Sequence, residues 1–159
     1  MIERGLTSTS DSTLYRLTDA LNVPITALFR QDLAQEAIVF RSVSDRTQIP
    51  FPFGVWEGLG GEDFIGRMQP FMLTLESGAE SGKEKIVHTG HEFVMCLRGR
   101  LEYEVEGKFY TLEAGDSLLF AARLAHRWRN SGMIVANAII VLSGFEEYEK
   151  PGIFHYPPE

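Results

Sequence analysis

Cysteine is almost absent from this chain. Cys96 stands alone among 159 residues, which excludes an internal disulfide and a zinc site built on paired cysteines, and fits a reducing compartment. Cys96 sits in the apolar run Val94-Met95-Cys96-Leu97, where a buried, inert thiol is expected. Positive charge is also scarce: 15 Lys and Arg face 22 Asp and Glu, for a formal net charge of −7. Such a balance does not make a broad nucleic-acid-binding surface. Long apolar runs are missing as well. The longest, Met133–Leu142, carries Asn137 and is too short to span a bilayer. Met1-Ile2-Glu3-Arg4-Gly5 leads into the polar run Thr7–Thr13, which is not a signal peptide. A cytoplasmic address is the expectation. No phosphate-binding Gly-rich loop with Lys-Ser/Thr and no nucleophile elbow occurs.

What is present is enough for one core. The composition is 44% hydrophobic, with eleven Phe and two Trp, as in an ordinary globular domain. Residues 1–30 are helical in character. Leu14, Leu17 and Leu21 form one stripe behind the cap residues Ser10, Asp11 and Ser12, and Pro24 opens a second short helix with Ile25, Leu28 and Phe29. Two short helices cannot bury that stripe alone. The three leucines are therefore expected to pack on the rest of the chain or on a second copy.

Residues 31–66 predict a strand over Ala37–Val43, then linker and first strands around Pro50 and Pro52. From Arg67 the pattern is β throughout. Strands are expected at Phe71–Leu75, Glu92–Leu97, Arg100–Glu106, Lys108–Leu112, Ser117–Phe120, His126–Arg129 and Met133–Ser143. In the third of these, Leu101, Tyr103 and Val105 alternate with Glu102, Glu104 and Glu106, which predicts one buried and one solvated face. Many short strands between regular turns argue for a sandwich or barrel. The tail 146–159, with Pro151, Pro157 and Pro158, reads as extended surface chain.

Two clusters carry possible chemistry: His88-Thr89-Gly90-His91-Glu92 and His126-Arg127-Trp128-Arg129-Asn130. In an extended segment residues 86, 88, 90 and 92 share a face. His88 and Glu92 then stand together, with His91 opposite and exposed. Imidazole with carboxylate suits a divalent first-row metal, and three protein ligands with open positions make a catalytic-type site. The competing reading is a pair of pocket histidines hydrogen-bonded to Glu92 without a metal. Trp128 lines the pocket or belongs to the core. Arg123, Arg127 and Arg129 read as a solvated rim, Asn130 as a turn residue and His155 as inert.

Gly115, His126 and Asn130 keep the spacing of the second cupin motif, and His88, Glu92 and Gly99 that of the first. Ile86 replaces the first histidine, Ala121 a proline and Arg123 a glycine. The chain thus resembles a cupin over roughly residues 67–145. The resemblance implies a mainly β fold, a double-stranded β-helix or jelly-roll barrel, and a site of His88, Glu92, His126 and Trp128. It also implies one divalent transition metal held by His88, Glu92 and His126.

A second resemblance covers residues 1–30. Ile2-Glu3-Arg4-Gly5-Leu6-Thr7-Ser8, Thr13–Pro24 and Ala27-Leu28-Phe29 look like the second half of a lambda-repressor-like (XRE-type) helix-turn-helix domain. Ile2, Glu3 and Arg4 would be the end of its recognition helix. The expected organisation is a helix-turn-helix remnant at 1–30, linker and first strands at 31–66, a cupin barrel at 67–145 and a tail at 146–159. Together the two resemblances are similar to bacterial regulators with a C-terminal cupin sensor, a small-molecule effector and a homodimeric state. Operator DNA is the implied partner of a version with all the helices, not of this chain. The alternative is a small metal-dependent cupin enzyme, a dioxygenase or isomerase.

Overall fold

The computed structural model describes residues 36–61 and 64–152. Residues 1–30 with their leucine stripe, and His155 in the tail, lie outside these. Among the described residues nine strands make two antiparallel sheets. They are β1 (Thr47–Phe51), β2 (Gly54–Gly58), β3 (Met68–Leu75), β4 (His91–Arg98), β5 (Arg100–Val105), β6 (Lys108–Glu113), β7 (Ser117–Ala121), β8 (His126–Arg129) and β9 (Ala136–Ser143). One sheet runs β1-β2-β3-β9-β4-β7 and the other β6-β5-β8. The core lies between them.

Alternation builds this core. In β9 every second residue is buried, and Ala136, Ala138, Ile140 and Leu142 face inward. Register carries the same row across the sheet: Ile140 pairs with Phe71 on β3 and with Val94 on β4, and Val94 pairs with Leu118 on β7. The opposite face has its own apolar row. Pro70 pairs with Val141, Val141 with Phe93, and Phe93 with Leu119, which is 70% exposed. From the smaller sheet Leu101, Tyr103, Val105, Leu112 and Trp128 complete the core.

Three local expectations need correction. Residues 37–43 form no strand. Glu36 makes one parallel bridge to Phe64, and a 3-10 turn follows at Val43–Asp45, closed by Asp45 N–H to Ser42 O and by Ser42 Oγ donating to Asp45 Oδ2. Ile38 and Phe40 are apolar but stay exposed, so β propensity there is not matched by a ladder partner. The first strands instead flank the Pro52-Phe53 turn, and Pro50 is accommodated because β1 is an edge strand.

β9 begins at Ala136 rather than Met133. The buried Asn130 donates to Ile134 O and to Leu75 O and accepts from Gly132 N–H, so the preceding residues belong to the turn that Asn130 organises. Glu104 is buried rather than solvated. It pairs across the strands with Arg127 at 2.7 Å and with Lys85 at 3.3 Å. The Arg127 hydrogen bond, with help from Lys85, holds its carboxyl below the usual range. Glu102 makes the matching cross-strand pair with Arg129.

Candidate metal centre

Three side chains from three places meet between the sheets. Glu92 is the second residue of β4 and His126 the first of β8, both fully buried, and His88 lies in the loop before β4, 4% exposed. The loop is placed by backbone. Ile86 N–H donates to His126 O at 2.6 Å, His126 N–H to Ile86 O at 3.0 Å, and His88 N–H to Ala122 O at 3.1 Å. This pairs Ile86 with the start of β8 and ties His88 to Ala122 in the turn before it. The alternation buried Ile86, exposed Val87, buried His88 then turns His88 inward.

Gly90 bends the chain into β4 at φ +83°, and a Cβ there would meet Ser143 O at 2.2 Å, so only glycine fits. The segment after β9 latches this loop from outside. The Glu149 carboxylate accepts from the N–H and hydroxyl of Thr89, whose Oγ1 in turn accepts from Glu146 N–H. His91 points the other way and is exposed.

The donor atoms converge. Glu92 Oε1 is 3.4 Å from His88 Nε2 and 3.1 Å from His126 Nε2. One candidate ligand atom from each residue lies within 4.8 Å of the others. The far nitrogen of each ring is committed: His88 Nδ1 is 2.8 Å from Thr89 O and His126 Nδ1 is 2.7 Å from Leu124 O. A carbonyl only accepts, so each Nδ1 carries the proton of its bond, and Nε2 is the nitrogen turned toward Glu92. Two imidazole lone pairs and one carboxylate oxygen turned to one point are a donor set for a divalent first-row cation. A backbone carbonyl behind each ring is the usual orienting device of metal-binding histidine.

One residue of this cluster was not singled out in the sequence. Tyr103 on β5 is fully buried, and its hydroxyl donates to Glu92 Oε2 at 2.7 Å. Burial, then the adjacent Glu92 carboxylate, pushes the Tyr103 hydroxyl well above the usual phenol range, so it remains a donor. The only sequence signal was a hydroxyl-bearing residue on an otherwise apolar strand face. Phe120 closes the wall, 4.9 Å from the His126 ring and 5.9 Å from the Tyr103 ring.

Trp128 lies beside the donors rather than among them. It is 2% exposed and stacked on Trp56 at 6.4 Å and 10°. Its Nε1 has no hydrogen-bond acceptor among the described residues. Ile86, where the resembled motif has its first histidine, is buried and offers no ligand.

Two antiparallel sheets around a buried His-Glu-His group define the class, and the fold is the cupin fold. Residues 71–144, just under half of the chain, match the family described as "Cupin domain". The chain is 28% identical over 140 residues to the HTH-type transcriptional regulator SutR of Escherichia coli (strain K12), covering 82% of this chain and 70% of that protein. The cupin domain of an XRE family transcriptional regulator from Enterobacter cloacae superposes with TM-score 0.53 at 24% identity, over 59% of this chain and 99% of the other. FeII HppE superposes with TM-score 0.66 at 20% identity, over 87% of this chain and 77% of the other. A regulator is thus among the similar sequences, and FeII HppE is among the chains with the same fold. Among the described residues no helix is long and apolar enough to cross a membrane.

Proposed function

We propose that the chain is the small-molecule-sensing part of a bacterial transcriptional regulator, with one divalent transition metal held by His88, Glu92 and His126. The observation that carries the sensing role is the likeness to SutR, which extends over 82% of the chain and so well outside residues 71–144. The donor set described above supports the metal. When bound, the metal would offer Lewis-acid coordination to an oxygen of the effector. The protein's own groups do the rest. The carbonyls of Thr89 and Leu124 orient the two rings, and the Phe120 ring packs edge-on against that of His126. Effector occupancy biases the regulator only through its different affinity for two arrangements. The apolar row Pro70, Val141, Phe93 and Leu119 supports a homodimer through this face, and light scattering showing a monomer at micromolar concentration would count against it.

A specific observation favours a second reading, a small metal-dependent enzyme. Three protein ligands leave coordination positions open, and FeII HppE has the same fold. The test is a thermal-shift panel of small oxygen-rich metabolites on Co(II)-loaded protein, followed by mass spectrometry of each hit. A sensor is stabilised and returns the compound unchanged. Consumption of the hit identifies an enzyme. A protein that takes up no metal, or whose His126→Ala variant keeps the same metal content, overturns the metal centre in both readings.

A further inference from the structure

We propose that Tyr103 is a positioning residue of the metal centre: by holding Glu92 Oε2 it leaves Oε1 as the single carboxylate oxygen presented to the ion. The inference rests on the metal reading above. A glutamate can meet a cation through one oxygen or through two. Here the two oxygens of Glu92 face different neighbours. Oε1 lies 3.4 and 3.1 Å from the two histidine nitrogens, and Oε2 accepts the Tyr103 hydroxyl at 2.7 Å.

Tyr103 is fixed from three sides. Its strand neighbours are Trp128 and Tyr110, its ring lies against Phe120, and it is fully buried. The donor comes from the opposite sheet, so Glu92 cannot rotate Oε2 toward the ion without leaving a buried hydroxyl unsatisfied. The consequence for chemistry is one more coordination position left for an incoming oxygen. Removing the hydroxyl frees Oε2, and the carboxylate is then expected to chelate.

The experiment is Co(II) titration of the wild type and Tyr103→Phe, read by the visible ligand-field spectrum and by calorimetry. Wild type is expected to bind one Co(II) per chain. Tyr103→Phe is expected to bind it with a displaced band and an affinity changed by about 10–100-fold, the usual size of such an outer-sphere effect. A purely structural tyrosine would lower unfolding stability but leave the spectrum of the folded protein unmoved, and an identical spectrum with affinity within threefold overturns the inference.

A second measurement needs no variant. The Tyr103 hydroxyl proton of the wild type should shift in the NMR spectrum on Zn(II) loading, because the ion draws charge from Glu92; an unshifted proton also overturns the inference. Should wild type take up neither ion, the metal reading fails first and this inference with it. Uptake by wild type with an indifferent Tyr103 refutes the inference alone.

Discussion

Replacing Glu92 by glutamine should change stability in opposite directions with and without metal. In the metal-free protein a fully buried carboxylate faces two ring nitrogens whose other nitrogens already donate to Thr89 O and Leu124 O. Burying an ion costs several kcal/mol even after relaxation. Glutamine keeps an oxygen to accept from Tyr103 and turns an NH2 toward the two Nε2 lone pairs. Two such hydrogen bonds contribute about 1 kcal/mol each. In chelator, Glu92→Gln should therefore be more stable than wild type by about 1–3 kcal/mol, raising Tm by about 2–4 °C per kcal/mol. With metal at about a thousand times its Kd, wild type gains about 4.1 kcal/mol and the variant gains almost nothing, so the order reverses. Urea unfolding with EDTA and with Co(II) measures both. A variant less stable than wild type by about 3 kcal/mol or more in EDTA would refute the reasoning. That is the signature of a broken ion pair, with a proton between ring and carboxylate.

Asn130→Ala removes three hydrogen bonds from a buried turn and should cost about 2–4 kcal/mol in urea unfolding; a loss under about 0.5 kcal/mol would show that water replaces them. Glu104 has a lowered pKa, so its contribution is complete above the unfolded carboxylate value of about 4.3 and fades as pH falls through the lower folded one. The acid limb of stability against pH should flatten in Glu104→Gln, and an unchanged limb would remove Glu104 from its causes. Gly90→Ala meets Ser143 O at 2.2 Å in a left-handed backbone and should cost about 2–4 kcal/mol while weakening Co(II) binding; a folded variant with wild-type affinity would show that the His88 loop is placed without Gly90.

The fold was legible where period 2 was unbroken. Burial alternates along β4 up to Leu97 and throughout β9, and in β5 only Glu104 breaks the pattern; the inward position of Glu92 follows from that alternation. What local pattern could not show was pairing across the sandwich. Tyr103 looked like any inward residue of β5, because its partner Glu92 stands eleven positions away on the other sheet. Glu104 looked solvated because the cover comes from Arg127 and Lys85 on other segments. Ala37–Val43 has strand composition, yet composition supplies no neighbouring edge. Asn130 was legible as a turn residue but not as the tie to Leu75 on β3.

Glu92 belongs to the larger sheet, while His126 and Tyr103 belong to the smaller one. The polar cluster is therefore a cross-brace between two layers that otherwise meet through nondirectional apolar contact. Apolar layers can slide by fractions of an ångström at little cost, but a set of bonds aimed at one point resists shear. Whatever tightens or loosens that point alters the mechanical coupling of the layers. The outer rows of both sheets, far from any bound molecule, would feel the change as a difference in stiffness. Amide exchange along the edge strands β6 and β7 is where such a transmitted strain would surface.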